Sequence, residues 1–177
     1  MFPESLPDST GWKIESRGKK HIEISKPGFS DNFSPLGTND IISFEEGWQV
    51  KIALEPGNWE YKFIDDGEWM TDPENRFTTG EGDYINSLRV INPNHTFILE
   101  GYKDADNVVV TGSFNNWNRS GYSMIQDGET WKFPIRLEQG KCLYKYIVDG
   151  EWIKDPGIEI WEDNEYGTGN SVLWIGQ

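Results

Sequence analysis

Cysteine is almost missing from this chain of 177 residues. Cys142 stands alone, which excludes an intrachain disulfide and argues against a cysteine-based metal site. It takes the place of Trp59 in an internal repeat described below, so it is expected to act as a small apolar residue. Histidine is scarce too: His21 and His95 fall near expected strand starts or the linker and are expected to be solvated. Positive charge is outnumbered, with 16 Lys+Arg against 30 Asp+Glu and a formal net charge of −14. That balance argues against a nucleic-acid partner and against an anionic membrane surface, both of which need net basic patches.

Long apolar runs are absent as well; none approaches the roughly 18 residues of a membrane-spanning helix. The opening MFPESLPDST has neither the basic stretch nor the apolar stretch of a secretory signal, so a cytoplasmic protein is the expectation. Catalytic signatures are missing: there is no nucleophile elbow, no His-Glu-x-x-His and no phosphate loop. With so many carboxylates, neighbours such as Asp65 and Asp66, or Asp163 and Glu165, arise by chance. The acidic run 162–165 lacks the ligand pattern of a calcium loop. The expectation is a non-catalytic protein with no cofactor and no metal.

Helical periodicity is hard to find anywhere in the chain. What is present is a duplication. Residues 48–73 read WQVKIALEPGNWEYKFIDDGEWMTDP and residues 131–156 read WKFPIRLEQGKCLYKYIVDGEWIKDP, identical at 14 of 26 positions with a constant offset of 83. That period is too long for a solenoid unit and fits two copies of a small domain, each owning a core. The expected division is 1–92 and 93–177, with the breaker cluster Asn92-Pro93-Asn94-His95 as a short linker.

Within each copy the pattern is that of strands. Trp48, Val50, Ile52 and Leu54 alternate with polar residues, as do Trp131, Phe133, Ile135 and Leu137, which marks strands with one buried face. Pro134 sits on the outward set and cannot donate to a ladder, so an edge strand or a bulge is expected there. Asp66-Gly67 and Asp149-Gly150 supply tight hairpins, and Asp72-Pro73 and Asp155-Pro156 stop the returning strands. About seven short strands per copy with regular turn signals give an all-β fold, two tandem immunoglobulin-like β-sandwiches.

Aromatic residues are in surplus: nine Trp, nine Phe and seven Tyr, 14% of the chain. Trp48, Trp131, Tyr61, Phe63, Tyr144 and Tyr146 follow the inward alternation and are read as core. Trp117 does not, since it lies in the polar loop Phe114-Asn115-Asn116-Trp117-Asn118. Trp69 and Trp152 follow directly on the hairpin turns, and Lys62 and Lys145 lie on the strand face opposite the core aromatics. These rings either cap the ends of the sandwiches or form a platform for the apolar face of a sugar, with polar groups at its rim. Burying about 100 Å² per ring at about 25 cal/mol per Å² gives roughly 2.5 kcal/mol gross per stack. Two stacks less association costs leave about −4 to −7 kcal/mol, an affinity that becomes useful along a repetitive polymer.

The stretch GSFNNWN…W…LEQGKCLYKYIVDGEWIKDP…YGTGNSVLWI closely resembles the glycogen-binding domain of the AMP-activated protein kinase β subunit. That domain is one of the carbohydrate-binding modules of family 48, with relatives at the N-termini of isoamylases and branching enzymes. The resemblance covers nearly all of residues 96–176, and residues 12–91 look like a more diverged copy. It implies an E-set β-sandwich and the binding of α-glucan, glycogen- or starch-like, chiefly through the second copy. By the same resemblance Trp117 and Trp152 would stack on glucose rings, and Lys145, Thr168 and Asn170 would bind hydroxyls. Tyr166 stands where the family carries an apolar finger, usually leucine. In the first copy Lys62, Trp69 and Asn86 match, Phe33 replaces the loop tryptophan, and Gly82 leaves the finger missing. Family relatives attached to glucan-active enzymes often serve as packing domains. The alternative is therefore an interaction or scaffold module docking a partner enzyme or further domains of a longer chain, in which Trp117 and Trp152 would be buried.

Overall fold

A computed structural model describes residues 12–16, 21–25, 42–44, 47–52, 54–65 and 68–176, with side chains over 54–63 and 68–176. The candidate Phe33 and the Asp66-Gly67 turn lie outside the described residues, as do the side chains of Trp48, Val50 and Ile52; Leu54, the last of that stripe, is buried. The first repeat contributes β1 (Trp12–Ser16), β2 (His21–Ser25), β3 (Ile42–Phe44), β4 (Gly47–Ile52) and β5 (Gly57–Asp65). It continues with β6 (Glu68–Met70), β7 (Thr78–Thr79) and β8 (Asn86–Ile91). The second repeat contributes β9 (His95–Glu100), β10 (Val108–Gly112), β11 (Tyr122–Ser123), β12 (Ile125–Asp127) and β13 (Thr130–Ile135). Its last strands are β14 (Gly140–Val148), β15 (Glu151–Ile153), β16 (Trp161–Glu162) and β17 (Asn170–Ile175). The fold is an all-β sandwich in which each described strand pairing is antiparallel.

The alternation expected of Trp131, Phe133 and Ile135 is what β13 carries, and these three and Leu137, just past its end, are buried. They face Tyr144, Tyr146, Val108 and Val110 across the core of the second repeat, with Phe97 and Leu99 of β9 beside them. Cys142 lines the same core. β13 is not an edge strand: it lies between β12 and β9. Its pairing with β12 ends at Ile125↔Lys132, however, so Pro134 has a strand partner only on the β9 side, at Thr96. Asp149 and Gly150 both take positive φ, 47° and 89°, as a two-residue hairpin turn requires.

One polar motif recurs in both repeats. Tyr144 Oη donates to Asp155 Oδ2 at 2.6 Å, and the Asp155 amide donates to Ser171 Oγ at 2.8 Å. Tyr61, Asp72 and Ser87 repeat it, at 2.7 Å for each bond. Asp155 is thus an anchor inside the sandwich, since a buried carboxylate must find donors, and the half-buried Asp72 repeats its bonds. His95 departs from the expected solvated state: it is half-buried, edge-on to Phe97 with ring centroids 4.7 Å apart. Burial holds its pKa below the usual histidine value, opposed by the nearby Asp155 charge.

The two repeats share one sheet, with strand order β16-β17-β14-β10-β11-β7-β8-β5-β2. Its seam is β11 against β7, at Tyr122↔Thr79. Residues directly opposite each other lie on one face, so Tyr146, Val110, Tyr122, Thr79 and Asn86 face the same way. Leu88, two residues on, shares that face and is 0% exposed within the core of the second repeat. Phe77 meets Phe133 edge to face, centroids 5.6 Å apart. The core face of the second repeat therefore becomes the outer face of the first. Asn58, also on that outer face, closes the seam: its amide donates to Arg136 O at 2.8 Å and accepts from Arg136 N at 3.0 Å. Asn94 makes the same pair of hydrogen bonds to the Leu137 backbone, at 2.9 and 2.8 Å.

Candidate functional site

The loop after β10 begins with a hydrophobic peg and a polar knot. Phe114 stacks on Tyr122 at 5.9 Å and lies 5.6 Å from Phe97, which pins the loop to the core. Asn115 Oδ1 accepts from Thr111 Oγ1 at 3.0 Å and from the Gly112 amide at 2.9 Å. Its Nδ2 is buried without a partner and lies against Gly121, where any Cβ would come within 2.6 Å. The knot leaves Asn116 and Trp117 at φ of 54° and 57° in succession. Two left-handed residues in a row, one of them bulky, cost about 1–2 kcal/mol each and persist only where the surroundings enforce them. The outcome is that Trp117 folds back over the sheet toward Trp152.

Trp152 lies on β15, opposite Ile147 of β14. The two indoles are half-buried, with centroids 6.5 Å apart and planes tilted by 40°. They form an angled pair rather than one flat surface. Arg119, which the sequence reading overlooked, sits 5.9 Å from the Trp152 ring and reaches Gly150 O with Nη2 at 3.4 Å.

Lys145 is on the outer face of β14, as the alternation requires, but it is only 4% exposed. Its ammonium donates to Thr168 Oγ1 at 2.6 Å. Burial, then the charge of Lys154, lowers its pKa from the ordinary lysine value. Asn164, a second residue absent from the sequence reading, organises the last loop. Its Oδ1 accepts from the amides of Tyr166 at 3.1 Å and Thr168 at 3.0 Å. Its Nδ2 donates to Asn170 Oδ1 at 3.0 Å and to Thr168 Oγ1 at 3.1 Å. An asparagine in a polar loop carries no periodic signal; only its side chain–backbone turn, known from the fold, reveals the role. Tyr166 projects at the tip, 79% exposed. Lys145, Thr168, Asn164 and Asn170 thus form one bonded group on the face where Trp117 and Trp152 meet.

The first repeat is arranged differently. Lys62 Nζ donates to Asp83 O at 2.8 Å, a backbone acceptor in place of the threonine hydroxyl. Asn86 Nδ2 donates to Glu60 Oε2 at 2.8 Å. Burial raises the Glu60 pKa, against the lowering effect of that hydrogen bond. Trp69 is 54% exposed, opposite Ile64 in the register that Trp152 shares with Ile147. Gly82, at φ 58°, leaves the tip without a side chain, and Tyr84 stands exposed beside it. The same loop is tied to the second repeat by Gly80 N to Ser120 O at 3.0 Å and Ser120 Oγ to Glu81 Oε2 at 2.6 Å. Among the described residues no group of three His, Cys, Asp or Glu is placed to hold a metal, and no helix is long and apolar enough to cross a membrane.

The family model described as the glycogen recognition site of AMP-activated protein kinase matches this chain twice, at residues 39–98 and 95–177. The chain is 24% identical over 102 residues to human 5'-AMP-activated protein kinase subunit beta-2, covering 58% of this chain and 37% of that protein. It is 25% identical over 153 residues to Protein FLOURY ENDOSPERM 6, chloroplastic, of Oryza sativa subsp. japonica, covering 80% of this chain and 27% of that protein. It is 30% identical over 87 residues to Phosphoglucan phosphatase LSF1, chloroplastic, of Arabidopsis thaliana, covering 48% and 14%. The chain therefore spans well under half the length of these relatives.

Proposed function

Because the chain belongs to the family of the AMP-activated protein kinase glycogen recognition site, we propose that it is a non-catalytic module binding α-glucan, glycogen- or starch-like, chiefly through residues 93–177. Trp117 and Trp152 stack on successive glucose rings, and the 40° tilt between them suits a chain that turns rather than a straight one. Thr168 and Asn170 exchange hydrogen bonds with sugar hydroxyls. Lys145 directs the Thr168 hydroxyl, and Tyr166 supplies a further ring at the tip. The single observation that carries this reading is the meeting of the two indoles beside the Lys145–Thr168 pair. A module used only for docking would have these rings buried, and neither is.

The first repeat, residues 1–92, serves as a support. Its Asn86 is bonded to Glu60 and its Lys62 to Asp83, while Leu88 is sunk in the neighbouring core. Phe33, Lys62, Trp69 and Asn86 are then a weaker or vestigial surface. The partners are α-glucan and, for the rest of any longer polypeptide, an enzyme or further domains.

Affinity electrophoresis in gels with and without glycogen tests the proposal. The wild type is expected to be retarded by glycogen, and Trp152→Ala to run as though none were present. Equal retardation of both proteins, or no retardation of the wild type, refutes it.

A further inference from the structure

Trp161 carries no role in the reading above, yet three features converge on its ring. Lys154 Nζ lies 3.8 Å from its centroid. A Cβ built on Gly169 would fall 2.6 Å from Trp161 Cε3, 3.1 Å from Cζ3 and 3.3 Å from Lys154 Cδ. Gly169 also holds φ at +67°, so both its space and its backbone require glycine. The ring is itself fixed by pairing of β16 with β17 at Trp161↔Ser171 and by Val172 N to Ile160 O at 3.0 Å. Although 49% exposed, it is braced from beneath and from the side.

Gly169 stands between Thr168 and Asn170, so the peptide wedged against the indole carries both of the last loop's hydrogen-bonding residues. We infer that Trp161 is a positioning residue for the glucan-binding loop, its ring and the Lys154 stem forming the stop against which Gly169 sets Thr168 and Asn170 beside Lys145. The inference rests on the glucan reading for its consequence, though not for its geometry. Thr168 can accept from Lys145 at 2.6 Å only while the loop is held at this height. Lys154 over the indole face gains the attraction of a cation for the ring quadrupole. The first repeat lacks the device. Thr78, Thr71 and Ile85 occupy the positions of Trp161, Lys154 and Gly169, at offsets of 83, 83 and 84. There the loop is held from outside, by Ser120.

The test compares wild type, Trp161→Ala, Trp161→Phe, Gly169→Ala and Trp152→Ala, with maltoheptaose as the probe. Isothermal titration reads affinity, and NMR without ligand reads the Lys154 methylene protons and the Thr168 and Asn170 amides. Trp161→Ala and Gly169→Ala are expected to bind about five- to twenty-fold more weakly, because a loop no longer pre-set must be ordered on binding. Trp161→Phe, which keeps an aromatic face, recovers most of the affinity. In Trp161→Ala the ring-current shift of the Lys154 methylenes disappears and the Thr168 and Asn170 amides move. In Trp152→Ala affinity falls while those amides stay in place. A urea midpoint for each variant verifies folding. Wild-type affinity in Trp161→Ala overturns the inference, as do unmoved amides in its ligand-free spectrum. If the wild type itself binds no maltoheptaose, the glucan reading fails; the ligand-free spectra then decide the positioning claim by themselves.

Discussion

Leu88 belongs by sequence to the first repeat and by packing to the core of the second, and replacing it with alanine measures that exchange. The side chain is wholly buried among Phe133, Tyr122 and their neighbours. Truncating such a leucine removes its transfer free energy and leaves a cavity, a loss of about 2–5 kcal/mol. For a chain of this length each kcal/mol lowers Tm by about 2–4 °C, so a fall of roughly 4–20 °C is expected. Urea denaturation followed by tryptophan fluorescence gives the free energy, with an unchanged m-value verifying that the native state is otherwise intact. A double-mutant cycle on Phe77→Ala and Phe133→Ala isolates the contact across the seam. Their edge-to-face geometry predicts a coupling of about 0.5–1.5 kcal/mol. If Leu88 instead faced solvent, as Trp174 does on the outer face of the second repeat, its replacement would cost less than about 0.5 kcal/mol. That result, with no coupling in the cycle, refutes the shared core.

Two further expectations concern the polar groups. Tyr144→Phe removes a 2.6 Å bond to a buried carboxylate and is expected to cost about 1.5–3 kcal/mol in the same urea assay, while a change below about 0.5 kcal/mol would show that Tyr146, 3.2 Å from the same oxygen, suffices. Glu60→Gln is expected to stabilise the protein at neutral pH, since the amide keeps an acceptor for Asn86 without a charge to bury. The folded-state pKa of Glu60 is raised, so its protonated form favours folding below the unfolded value near 4.5, and that contribution is lost as pH rises through the raised pKa. The advantage of Gln over Glu therefore appears above that window and vanishes below it; a pH-independent difference counts against the assignment.

Much of the second repeat was legible in its residues. The period-two stripe from Trp131 to Leu137 has one physical meaning, a strand buried on one side, and Asp149-Gly150 supplies the positive φ that a tight hairpin needs. Trp117 could be set apart because no alternation carried it inward. What could not be read are features that arise only when distant segments meet. The burial of Lys145 depends on Thr168 arriving above it, and the part played by Asn164 depends on where a loop turns. His95 heads a strand, which marks an end in sequence; in the fold that end lies against Phe97. The seam was illegible for a related reason: Leu88 and Val172 hold equivalent places in the two repeats and both are buried, and nothing local tells that Leu88 joins the core of the neighbouring repeat.

The pair of hydrogen bonds between Asn58 and the Arg136 backbone has a practical consequence for anyone who would work with one half of this molecule. A polypeptide trimmed to start at Pro93 would leave Tyr122 at a raw sheet margin and take away the lid formed by Leu88 and Phe77. Such margins invite pairing with strangers. Whoever excises residues 93–177 inherits an adhesive flank, and would do well to place charge along the bared edge of β11 and leave the buried Phe133 as it is.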